Sequence, residues 1–110
     1  MKITITTFRP KVIDLLGTSP EGGKGQLELQ IENTSGEFAL FKPQRFSFLS
    51  RDNKQVDILD KRHRFKEYLP AVEIEIAPGA HIKEFYRLNG GIELPARLFY
   101  NSKLLAVITD

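Results

Sequence analysis

Residues 26–33 read QLELQIEN. Leu27, Leu29 and Ile31 alternate with Glu28, Gln30 and Glu32, so an extended chain carries three aliphatics on one face and three polar groups on the other. Residues 71–79, AVEIEIAPG, repeat the device. There Val72, Ile74 and Ile76 are expected to face inward, with Glu73 and Glu75 outward. KITITTF (2–8), RFSFLS (45–50) and QVDILD (55–60) are shorter versions. ARLFY (96–100) and KLLAVIT (103–109) flank Asn101-Ser102, a pair suited to a tight hairpin turn. No window of eleven residues shows a convincing 3.6-residue period. The best helical candidate is HRFKEYL (63–69), one or two turns that Pro70 would end.

Punctuation separates these runs. Gly17 to Gly25, with Pro20 and two adjacent glycines, reads as a flexible loop. Asn33-Thr34-Ser35-Gly36, Asp52-Asn53, Pro78-Gly79 and Asn89-Gly90-Gly91 read as turns. Seven to nine short strands so spaced predict an all-β antiparallel sandwich or barrel. A chain of 110 residues with one composition regime and no internal repeat fits a single domain over residues 1–110. At that length folding buries roughly 65% of the extended-chain surface, enough for one core.

Several function classes lose their chemistry at this stage. Cysteine is absent, which removes disulfides, thiolate nucleophiles and cysteine-ligated metals. The charge of +2 from 16 basic and 14 acidic residues is too even for a dedicated nucleic-acid binder. No apolar run approaches the roughly 20 residues of a membrane helix. A native start at Met1 implies the cytoplasm, whereas a removed leader implies the cell envelope or secretion.

The order of pieces carries a resemblance. IENTSGE (31–37) is followed by FKPQRFSFLSRDNKQV (41–56), IAPGAHIKEFYRL (76–88) and LPARLFYNSKLLAV (94–107). Over residues 25–108 the pattern resembles the immunoglobulin-like sandwich domains of unknown function found on bacterial lipoproteins. Those domains are similar in fold to secreted immunoprotective antigens. The Asn-Thr-Ser turn, the Pro-Gly turn before the strand holding Phe85, and the strand with Leu98 and Tyr100 carry the likeness. The resemblance implies an immunoglobulin-like sandwich with an interaction or scaffold role and no catalytic residues.

KRHRFKEYLP (61–70) packs Lys61, Arg62, Arg64 and Lys66 between Asp60 and Glu67, a local excess of two positive charges. It is expected to be a crossover loop between two strands, and its four cations are the candidates for an anionic ligand such as nucleic acid, polysaccharide or a lipid headgroup. Phosphate affinity takes several unpaired cations, so nucleic acid is disfavoured. His63 and His81 lack converging ligands, and no metal or cofactor is expected. Glu28 and Glu32 share a strand face, as do Glu73 and Glu75. In an immunoglobulin-like topology their strands are neighbours, and the carboxylates form one solvated outer face paired with lysines such as Lys2. EGGKGQ (21–26) lacks the Ser or Thr and the helix of a phosphate loop, and reads as a mobile connection. Asn33-Thr34-Ser35 satisfies the N-glycosylation pattern. No nucleophile, base and orienting group assemble, so an enzyme is not expected.

In RLFY, Phe99 and Tyr100 cannot both point inward. Whichever of them is outward, together with Leu105 or Val107 from the hairpin partner, is expected to form an apolar contact strip for a protein partner or a second copy, with Phe99, Leu105 and Val107 as its candidate residues. The alternation therefore predicts a non-catalytic module that binds protein through its C-terminal hairpin.

Overall fold

The computed structural model describes residues 1–11, 23–62 and 68–109. These form ten strands: β1 (Lys2–Arg9), β2 (Gln26–Glu32), β3 (Ala39–Phe41), β4 (Phe46–Leu49), β5 (Gln55–Arg62), β6 (Tyr68–Leu69), β7 (Ile74–Ile76), β8 (His81–Leu88), β9 (Ala96–Tyr100) and β10 (Lys103–Ile108). Seven are hydrogen-bonded in the order β1-β2-β8-β5-β4-β9-β10, β6 adds to β5, and β3 with β7 makes a separate two-stranded ribbon. Each pairing is antiparallel. The result is the all-β, sandwich-like fold that the alternation predicts.

One strand turns the corner that makes two layers from one sheet. The first half of β5 pairs with β4, placing Val56 opposite Phe48. Its second half pairs with β8, and the register shifts between Ile58 and Asp60. Bulges of this kind sharpen twist and let a strand pass from one layer to the next. The curl brings strands from opposite wings face to face. Phe8 of β1 stacks on Phe48 of β4 with centroids 5.3 Å apart and planes within 6°, although three strands separate them in the hydrogen-bonded order.

The β2 pattern explains where the core sits. Leu27, Leu29 and Ile31 are fully buried, and the register sets Ile31 beside Ile3 and Ile82, and Leu27 beside Phe8 and Tyr86. Phe41 and Ile76 of the ribbon close over this surface. Phe41 stacks on Tyr100 at 5.5 Å, meets Phe46 edge-on at 5.8 Å and lies 6.5 Å from Tyr86. The ribbon thus locks three strands of the main sheet, β4, β8 and β9, through aromatic contacts.

Asn33, just after β2, ties the ribbon to the sheet. Its buried Nδ2 donates to the carbonyls of Glu37 (2.6 Å) and Ile76 (2.9 Å), and its Oδ1 accepts from Ser35 N (3.0 Å) and Ser35 Oγ (2.7 Å). Its backbone donates to Ala80 O and accepts from Gly79 N, both at 2.9 Å. The glycosylation pattern therefore rests on an amide nitrogen that has no exposed surface and two carbonyl partners. A glycan there is incompatible with this fold.

Four expectations need correction. Val72 is 61% exposed, because β7 begins only at Ile74 and stays three residues long beside β3. The Glu28–Glu32 and Glu73–Glu75 pairs do not share a face: β2 is central in the main sheet, flanked by β1 and β8, whereas Glu75 belongs to the ribbon. Lys2 does sit opposite Glu32, as charge pairing across strands favours. The end of EGGKGQ is packed, not loose: Gly25 N–H donates to Gly90 O at 2.9 Å, and a Cβ on Gly25 would lie 2.8 Å from Leu88 Cδ1. Finally, Tyr68-Leu69 of the helical candidate is strand, pairing with Arg62 and Lys61, while residues 63–67 lie outside the described residues.

Candidate interaction surface

The C-terminal hairpin is built from its turn outward. Asn101 and Ser102 have φ of 51° and 67°, the paired positive values that a two-residue turn needs to match strand twist. On β9, Ala96, Leu98 and Tyr100 point inward, and the Tyr100 ring fits between Phe41 and Phe46 while its hydroxyl accepts the Lys42 N–H at 3.0 Å. Arg97 and Phe99 are therefore left on the outer face. Opposite them stand Val107 and Leu104 of β10.

A register shift between Leu104 and Ala106 decides what β10 exposes. Strict alternation outward from Val107 selects Leu105 and turns Leu104 in. The shift instead keeps Leu104 opposite Phe99 and Val107 opposite Arg97, so both join the outer face. Leu104, Leu105 and Val107 are 54%, 44% and 59% exposed, and Phe99 is half-buried between Leu104 and Ser47. The structure thus brings together Phe99 and Val107, places Leu105 at the irregularity, and adds Leu104, which alternation cannot find. A shallow depression flanks each end of this strip. One, about 260 Å³, is lined by Val107, Leu49, Arg51 and Arg97; the other, about 330 Å³, by Phe99, Gln55, Arg45 and Asn101.

β10 is also an edge. It ends the hydrogen-bonded order, and no described strand pairs with its far side. Such an edge offers a row of unpaired N–H and C=O groups to another chain. The opposite edge is blunted: β1 presents Lys2, Thr4, Thr6, Thr7 and Arg9 to solvent. Between Leu104 and Ile108, β10 carries no charged residue at all.

The basic stretch is differently placed from the loop expected of it. Lys61 and Arg62 stand on β5 and pair with β6 as a hairpin; Arg64 and Lys66 lie outside the described residues. Arg62 lies over the Phe85 ring at 5.5 Å. Arg87 stacks on Tyr68 at 3.9 Å and holds Asp60 by a two-point ion pair, Nε–Oδ1 3.0 Å and Nη2–Oδ2 2.5 Å. Lys61 reaches inward, its ammonium 2.7 Å from Glu84 Oε2.

Glu84 and Tyr86 are ionisable groups that sequence reasoning passed over. Their signal was present, since Ile82, Glu84, Tyr86 and Leu88 share the inward register of β8. The Tyr86 hydroxyl is buried and has no hydrogen-bond partner among the described residues. Burial, and next the Glu84 carboxylate, push it far above the ordinary phenol value. The raised value means that stability is intact below the unfolded value near 10 and falls as pH rises beyond it, by about 1 kcal/mol for each pH unit until the folded value is reached. Tyr86→Phe is expected to remove that alkaline loss and to leave neutral-pH stability equal or slightly higher. Urea unfolding at pH 7 and pH 11 checks both.

Comparison of the chain with protein-family models, with curated proteins and with solved structures found no match. Fold and surface together define a sandwich-like all-β domain with one polar edge and one apolar edge. Among the described residues, no helix is long and apolar enough to cross a membrane.

Proposed function

We propose that this domain is a non-catalytic interaction module that binds protein through its C-terminal hairpin. The observation that carries the reading is the apolar strip of Leu104, Leu105 and Val107 on a strand whose far edge no described strand covers. A domain of this size has little reason to leave three large aliphatics on an open strand edge unless another chain covers them. The resemblance to immunoglobulin-like lipoprotein domains, a family without known catalytic residues, supports the same role.

The test is a comparison of the parent chain with Val107→Ser and Leu104→Ser. Both positions are solvent-facing, so stability should change by no more than about 0.5 kcal/mol. Binding of a partner, or self-association measured by sedimentation, should weaken at least tenfold. Unchanged association in both variants would sink the reading.

An anionic-ligand role for Lys61, Arg62, Arg64 and Lys66 is the other proposal, and it draws less support. Lys61 is engaged by Glu84, and Arg62 lies over Phe85. Heparin retention that persists at 0.3 M salt, and disappears in the quadruple alanine variant, would revive it.

A further inference from the structure

We infer that the occupant of the hairpin edge is an extended peptide segment that adds a strand to β10, with apolar residues over Leu104 and Val107 and carboxylates at its two ends. This rests on the hairpin reading and supplies the chemistry of its partner. The charge around the strip points to acidic flanks. Arg97 sits beside Val107, and Arg45 lies at the turn end, where it lines the depression with Phe99 and Asn101. Neither has an ion-pair partner among the described residues, and the Arg45 carbonyl accepts the Asn101 N–H next to the turn. Arg51, in the depression beyond Val107, reaches Glu93 only at 4.0 Å with both side chains largely exposed. The strip is therefore apolar in the middle and cationic at both ends.

That distribution selects between occupants. A second copy would add its own β10, whose residues from Leu104 to Ile108 carry no carboxylate to set beside Arg97. An extended acidic-apolar-apolar-acidic segment, read at alternate positions, meets all three features together: the open backbone edge, the aliphatics and the terminal cations. The register shift gives Leu104 and Val107 the two-residue spacing of Phe99 and Arg97, about 7 Å along a regular strand, so two alternate apolar residues and their flanking acids fit within about seven residues.

The probe is a fluorescent peptide of sequence Glu-Thr-Val-Thr-Ile-Thr-Glu, matched with one carrying Lys for both Glu. The acidic peptide is expected to bind at least tenfold more tightly at 50 mM salt and to lose that advantage by 0.5 M. It should shift the backbone amide resonances of β10 while leaving those of β1 in place. The double variant Arg97→Glu/Arg45→Glu, both surface changes, should reverse the preference. Equal binding of the two peptides at β10 overturns the acidic partner but keeps the hairpin reading. Binding by neither peptide, alongside self-association lost in Val107→Ser, makes a second copy the occupant and also overturns it. Indifference of every association to Val107→Ser and Leu104→Ser brings down the hairpin reading itself.

Discussion

Phe41→Ala should destabilise the domain by about 3–5 kcal/mol, a large share of what holds a chain of this size folded. The Phe41 ring has no exposed surface and touches three aromatic rings at once: Tyr100, Phe46 and Tyr86. The ribbon that carries it is only three residues wide on each strand, too short to be stable by its own pairing. Its place on the sheet therefore depends on this anchor and on Ile76. Truncation leaves a cavity that the rigid β4, β8 and β9 strands cannot fill, so the loss approaches the upper part of the range. The neighbouring Leu40→Ala supplies the contrast, because Leu40 is solvent-facing and the change should stay within about 0.5 kcal/mol. Urea unfolding of the two variants decides the matter. A Phe41→Ala loss below 1 kcal/mol would show that the ribbon does not close the core.

Much of this arrangement was legible in residues 26–33. The alternation of Leu27, Leu29 and Ile31 specifies a strand with one buried face, and all three are fully buried. Asn101-Ser102 named its hairpin, since only a few residue pairs tolerate two positive φ values in succession. The ribbon was harder to see. Three residues are too few to display a period, and β3 exists because β7, far along the chain, pairs with it. AVEIEI looked like a full strand for the opposite reason: its period is clean, but no partner accompanies Val72. At the hairpin, alternation offered Phe99, Leu105 and Val107 as candidates without choosing between Phe99 and Tyr100 for the outer face, and it did not offer Leu104. A register shift has no composition signature here, and it moves a side chain to the other face without altering one letter. The bulge in β5 hid the layer change in the same way. QVDILD continues smoothly through Ile58 to Asp60, where the chain leaves β4 and joins β8.

Asn33→Ala is expected to cost about 3 kcal/mol, a rare magnitude for a polar residue outside a strand. The amide makes four hydrogen bonds, and their losses are unequal. Ser35 and Glu37 are exposed, so water can replace part of what they lose. Ile76 is buried, and its carbonyl would be left without the Asn33 donor, which alone costs about 1–3 kcal/mol. The midpoint of thermal unfolding should fall by about 4 °C or more for each kcal/mol. Asn33→Asp separates donor from acceptor. It keeps the oxygen that accepts from Ser35, but it turns a second oxygen toward the carbonyls of Glu37 and Ile76. A carboxylate so placed is held above its unfolded value near 3.9 by burial and by those carbonyl dipoles. The stability of this variant is therefore fullest below pH 4 and declines as pH rises through the elevated folded value. At pH 7 it should be no more stable than Asn33→Ala, and acidification to pH 4 should narrow its deficit against the parent. A deficit that is the same at pH 4 and pH 7 would mean that the side chain swings out to solvent, and that the ribbon is not fastened through Asn33.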